Sequence, residues 1–444
     1  MPTSTPPKWP LLATGLVATV GIAASLAGLS DPLAAAGGAV AALALACWLF
    51  EAIPPHAVTL GLLGLCIVWL GPLQPAFRAG PVLGAAADPV LALFLGGLCL
   101  GAAASRHGLD DRVANAVLRA ARGRARRLVV LAALATGLLA MWLSGVAAAA
   151  LMLAAFRPLV QDLQLRRACL LAIAVGANLG GMGTPVGAGP NALAMAAAPS
   201  LTFLQWMGLA VPLTLGALAV AATWLVFVHR VRDEPQGPAL APSSPRNPWQ
   251  RPEILVACVA AACIVGWVGE PLHGIPAAAV ALLTCAVLFG SGLLGRQDLG
   301  QLDWSTLLLI AGGITLGRVL DKTGLAATVL ATLDLGALPA AGRLAVYAGL
   351  AALLSALMSN TGAVAMLLPM AALTDPGPVT AVVVALASSF GMPLPISTPA
   401  NALMAGEGSV RTRDFLVVGL PVLVGGVAVV VLTGPAVLAW WGVR

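Results

Sequence analysis

Apolar runs of about 17 to 25 residues, the length that crosses the hydrocarbon core of a bilayer, recur along the whole chain and leave it few architectures other than a polytopic helical bundle. They fall near 11–30, 36–52, 56–72, 89–106, 205–228, 252–269, 272–290, 304–320 and 413–440. Charge agrees with this reading. Only 9% of the 444 residues are Asp, Glu, Lys or Arg, too few to cover a water-soluble particle of this size. The opening MPTSTPPKWP carries one Lys before its apolar run and no small-residue cleavage site, which predicts a first membrane helix rather than a removed signal.

Two further runs, 168–198 and 378–406, are interrupted by Gly, Pro, Thr and Asn. Two others, 128–156 and 343–373, break at their centres on SGV (144–146) and SNT (359–361). Their arms of about 12 to 15 residues are short for a crossing, so re-entrant hairpins are expected. The basic residues support that topology. With the N-terminus inside, 18 of the 23 Lys and Arg fall on the cytoplasmic side, including residues before and after the first hairpin. The odd number of crossings then puts the C-terminus outside. The Pro- and Ser-rich segment 229–251 is expected to be a cytoplasmic linker.

The chain also matches itself at an offset of about 210 to 220 residues. FLGGLCLG at 94 answers IAGGITLG at 310, SGVAAAALMLAAF at 144 answers SNTGAVAMLLPM at 359, and GMGTPVGAGPNALAM at 181 answers MPLPISTPANALMAG at 392. An odd number of crossings separates the copies, so the expected fold is an all-α polytopic protein made of two inverted repeats. It has about eleven transmembrane helices, two of them broken, and two re-entrant hairpins. The expected divisions are an N-terminal helix (1–35), a first repeat (36–228), the linker and a second repeat (252–444). Inverted repeats with paired broken helices are the signature of a secondary transporter, a stronger reading than channel or membrane enzyme. Helix N-termini at the breaks suit an anion, and freed carbonyls with the oxygens of Ser359, Asn360 and Thr398 suit a small cation.

Other chemistries find little support. The seven cysteines lie singly in apolar runs without CxxC spacing and read as small buried hydrophobes. Four scattered His residues give no zinc site, no basic tract offers a nucleic-acid surface, and the Gly-rich GGITLG lacks the context of a nucleotide loop. Glu51 and Glu270, just before Pro-containing turns, read as helix caps rather than proton relays.

At EAIPPHAVT (51), GGMGTPVGAGPN (180), SNTGAVAMLLP (359) and LPISTPANALMAGEGSVRTRDF (394) the sequence resembles the divalent anion:sodium symporter family. The resemblance implies sodium-coupled uptake of a small divalent anion such as a C4-dicarboxylate, with citrate or sulfate as alternatives, by an elevator-type cycle. It also implies a homodimer in a bacterial inner membrane, no organic cofactor, and no enzymatic activity. By position it places substrate on Ser144, Gly145, Thr184, Pro190, Asn191, Ser359, Asn360, Thr361, Thr398, Pro399 and Asn401. It places the coupling ion on Ser355, Asn360 and Ser397, with Ser144 and Gly183 in the first half. The first half departs from the family pattern. Gly145 and Val146 stand where the family has Asn and Thr, and Ala188 and Gly189 where it has Thr-Pro. The second-half cation site is therefore expected to persist and the first to be weakened or absent, with proton coupling or anion exchange as the alternative.

Overall fold

The computed structural model describes residues 9–50, 53–85, 87–157, 162–232, 248–325 and 338–443. Backbone groups without water must be paired within their own segment, and every element among the described residues is helical. Nine of these helices are long and apolar enough to cross a membrane. The chain is a multi-pass membrane protein.

One group of helices packs laterally without any break at its centre. Trp9–Gly28 lies against Pro32–Phe50, Pro89–Arg106 against Ala277–Gly290, and Trp304–Lys322 against Pro55–Leu65. The span expected over 272–290 is shorter than anticipated. Pro276 caps a 14-residue helix, Ala277–Gly290, and a separate turn Glu270–His273 precedes it, with Glu270 Oε1 accepting from the Ala277 N–H at 3.3 Å. Glu51 lies outside the described residues.

The second group contains the breaks. The first hairpin is Ala125–Ala140 and Gly145–Phe156, and the second is Ala340–Leu357 and Asn360–Thr374. At both tips a serine ends the break by the same local device. Ser144 Oγ accepts from the Ala147 N–H at 3.2 Å, and Ser359 Oγ from the Gly362 N–H at 3.1 Å. The Ala340–Leu357 arm, at 18 residues, exceeds the expected length and by composition alone would pass for a crossing. Its return arm packs back on it, and Arg343 at one outer end pairs with Asp375 at the other, 2.6 Å apart.

Each hairpin leans on a broken helix. The first runs Leu163–Gly180, breaks, and resumes at Gly189–Ala197; the second runs Pro378–Ser388, breaks, and resumes at Pro399–Gly406. Glycine permits a backbone-on-backbone seam in the first: a β-carbon on Gly180 would lie 2.3 Å from the Gly137 carbonyl oxygen. The broken helices also cross, since Gly189–Ala197 packs on Pro378–Ser388 and Pro399–Gly406 on Leu163–Gly180. The long helices Phe203–Val228 and Thr412–Trp440 complete this group and touch one another. On the arginine-rich face Glu407 pairs with Arg166 at 2.7 Å, tying the halves together at their ends. Six cysteines are buried, as expected, but Cys258 is exposed.

Candidate functional site

The two tips and the two breaks meet around one cavity of about 290 Å³. Four helices begin there, at Gly145, Gly189, Asn360 and Pro399, so their unpaired N–H groups and the positive ends of their dipoles converge on it. No Lys, Arg or His lines the cavity among the described residues, and the one ionisable side chain on its wall among them is Asp303. Asp303 Oδ1 accepts from the Thr306 N–H at 3.0 Å, and Oδ2 from the Thr306 hydroxyl at 2.6 Å, which starts the helix Trp304–Lys322 at the cavity edge. An adjoining cavity of about 490 Å³ shares Leu143, Ser144 and Asp303 and reaches Arg106 and Asp298, which are ion-paired. The site therefore opens toward the arginine-rich face.

Of the sequence-derived residues, Ser144, Gly145, Pro190, Ser359, Asn360, Thr361, Ser397, Thr398 and Pro399 line the cavity. The others support it from behind. The amide of Asn191 donates to the Gly181 and Thr184 carbonyls, both at 2.8 Å, and that of Asn401 to the Met392 and Leu394 carbonyls at 3.1 and 2.9 Å. Each asparagine thus holds its own loop in shape. Thr184 donates its hydroxyl to the Met141 carbonyl, tying its loop to the first hairpin, and Ser397 makes the equivalent bond to the Ala356 carbonyl at 2.8 Å. Gly183 is buried against Met141.

Ser355 is buried behind the second tip in an unusual setting. Its Oγ lies 2.6 Å from Asn360 Oδ1 and 2.7 Å from the Ser388 carbonyl oxygen. Three oxygens thus meet at one point behind the tip when the Asn360 amide presents Oδ1 there, a donor set that suits a small hard cation. In the first half the position four residues before the tip serine is Ala140, and the one after it is Gly145. Both side chains of the pair are gone together.

Sequence reasoning missed five polar residues of the cavity wall, Asn178, Asp303, Ser305, Thr306 and Ser389. Asn178 lines the cavity and donates to Asn401 Oδ1 at 2.8 Å, joining the broken helices, and Asp303 comes from the other helix group. The local signal for Asp303 was the D-W-S-T start of a helix; Asn178 had none beyond being polar within an apolar run. Among the described residues no three His, Cys, Asp or Glu side chains gather as metal ligands.

Comparison with known proteins follows this geometry. A family model described as citrate transporter, CitMHS, matches residues 45–391. An uncharacterized transporter of Haemophilus influenzae is 29% identical, with 92% of this chain and 93% of that protein covered. The sodium-dependent dicarboxylate transporter SdcS of Staphylococcus saprophyticus is 24% identical over 87% of this chain and 82% of its own length. The inorganic phosphate transporter PHO87 of Saccharomyces cerevisiae is 26% identical over 65% of this chain, which spans only 32% of that longer protein. Among solved structures, the YdaH transporter of Alcanivorax borkumensis superposes with a TM-score of 0.55 at 17% identity, covering 85% of this chain and 98% of that one; the likeness is one of fold. The resemblance to divalent anion:sodium symporters holds, and the relatives are named as transporters rather than enzymes. The chain belongs to the citrate transporter family, CitMHS.

Proposed function

We propose that the protein is a sodium-coupled carrier that takes up a small divalent anion of the C4-dicarboxylate class by elevator-type alternating access. The observation that carries this reading is the oxygen cluster of Ser355, Asn360 and the Ser388 carbonyl directly behind a cavity built from helix N-termini. Coupling follows from electrostatics. Among the described residues the cavity walls carry no basic side chain and one carboxylate, so the helix N-termini offset the charge of a dianion until a cation enters beside it. A bound cation stabilises the tip conformation in which Asn360, Thr361 and Thr398 present donors, and so lowers the cost of ordering the site for the anion.

In this reading the two halves are inverted repeats, and the hairpins, broken helices, Phe203–Val228 and Thr412–Trp440 move as one body. The first group of helices is the static scaffold and carries the contact of a homodimer. The N-terminus is cytoplasmic and the C-terminus extracytoplasmic, in a bacterial inner membrane, and the cavity opening beside Arg106 is the inward-facing state. Sodium serves as the second-half ion only, one per cycle, because Ala140 and Gly145 offer no side-chain oxygen in the first half.

The test is uptake of labelled succinate, malate, citrate, sulfate and phosphate into proteoliposomes. Phosphate belongs in the panel because yeast relatives are named as phosphate transporters. A sodium gradient is expected to drive accumulation of the dicarboxylates; uptake indifferent to sodium would contradict the reading. One observation favours a proton-driven variant, namely that Asp303 is the sole ionisable cavity side chain among the described residues. That variant requires Asp303→Asn to abolish uptake driven by a pH gradient, whereas sodium-driven uptake survives this cap-preserving change.

A further inference from the structure

The first half of the site has lost its hydroxyls at the two positions where the second half keeps them. Two residues past the tip serine stands Val146, 40% exposed, where the second half has Thr361. Three residues before the loop asparagine stands Ala188, where the second half has Thr398. The next residue, Gly189, is the buried first residue of the helix Gly189–Ala197, and Ala188 supplies no side-chain cap to that helix.

Gly189 is not in the left-handed backbone region, so its conformation does not call for glycine. Space does. A β-carbon there would lie 2.3 Å from Thr361 Oγ1, 2.6 Å from Cγ2 and 3.0 Å from Cβ, distances no real contact sustains. Thr361 is half-buried, lines the cavity, and lies across the halves on the first turn of that helix. We infer that Gly189 is a positioning residue. By lacking a side chain it admits the Thr361 hydroxyl from the second hairpin into the first half of the site, where it takes the place of the hydroxyls that Val146 and Ala188 do not supply. The loss noted in the first repeat is thus offset in trans, and Gly189 and Thr361 together set how tightly the anion is held. This inference rests on the reading that the cavity holds the transported anion.

The test is initial-rate uptake by the full chain in proteoliposomes, with labelled succinate and, in parallel, labelled phosphate as probes. Gly189→Ala is expected to raise the half-saturating anion concentration by about tenfold or more, the weight of one hydrogen bond to a charged ligand, while the half-saturating sodium concentration stays within about twofold. Thr361→Val, equal in shape but without the hydroxyl, reproduces that loss. Thr361→Ser in the wild-type Gly189 background, which keeps the oxygen and loses only the methyl, holds affinity to within about threefold of wild type. Elution as a single species and an unchanged melting temperature establish folding of each variant. Wild-type affinity in Thr361→Val, or a loss in folded Thr361→Ser as large as that in Thr361→Val, would overturn the inference while leaving the transport reading intact. Absence of sodium-driven uptake of both probes by the wild-type chain would instead overturn that reading, and the inference with it.

Discussion

Ser355 concentrates the chemistry of the site in one hydroxyl. Its oxygen lies 2.6 and 2.7 Å from those of Asn360 and Ser388, so under the proposed function its loss removes a cation ligand while adding no bulk. Ser355→Ala is expected to raise the half-saturating sodium concentration by about tenfold or more and to leave expression and folding intact, measured as sodium-activated succinate uptake. Much of this cluster was legible in the sequence. The break in an apolar run at Ser359 and Asn360 marks polar groups that must face protein, and the resemblance extended the set to Ser355 and Ser397. What could not be read was direction. Thr184, Asn191 and Asn401 sit in the right motifs, yet the Thr184 hydroxyl and the amide N–H groups of Asn191 and Asn401 are engaged by loop carbonyls, and Asn401 Oδ1 by Asn178, rather than lining the cavity. Motif position fixes which turn a residue belongs to; which side of that turn its amide serves is decided by tertiary contact.

The hairpin and its broken helix form the working element, and glycine determines how closely they approach. Gly180 against the Gly137 backbone leaves no room for a side chain. Gly180→Leu is expected to destabilise the protein by about 1 to 3 kcal/mol or more, as overpacking does, and to lower the melting temperature measured in detergent. Gly61→Ala, at a position with nothing within 4 Å, provides the control and should not lower it. Periodic apolar runs and their breaks gave these elements their approximate bounds, but not the length of the Ala340–Leu357 arm. A hairpin arm and a crossing helix of 18 apolar residues are alike in composition, and only the packing of the return arm distinguishes them. The helix Leu109–Ala121 lies outside the expected spans for a related reason. Its polar and apolar residues alternate at helical spacing in a stretch too charged to cross a membrane.

At the scale of the whole molecule, the account requires one group of helices to move past the other. Gly97 on Pro89–Arg106 and Val186 in the first broken loop belong to different groups, with a β-carbon on Gly97 falling 2.6 Å from Val186 Cβ. Gly96 and Ala281 are equally close but both belong to the first group of helices. Gly97→Val, which drives a side chain into that contact, is expected to slow initial-rate uptake, and pairing it with Val186→Gly, which returns the volume, to restore the rate. Gly96→Ala with Ala281→Gly, the same kind of exchange within one group, should leave uptake unchanged. The helical bundle and its paired breaks were visible as repetition in the chain, whereas the shared cavity, with Asp303 arriving from the scaffold, exists only once the halves are packed.

The central claim is that the second half binds a coupling cation and the first, with Ala140 and Gly145 in place of an oxygen-bearing pair, does not. Its most direct test is the coupling stoichiometry, obtained from paired fluxes of labelled sodium and labelled succinate in proteoliposomes. One sodium ion per succinate is the predicted result; two would contradict the account.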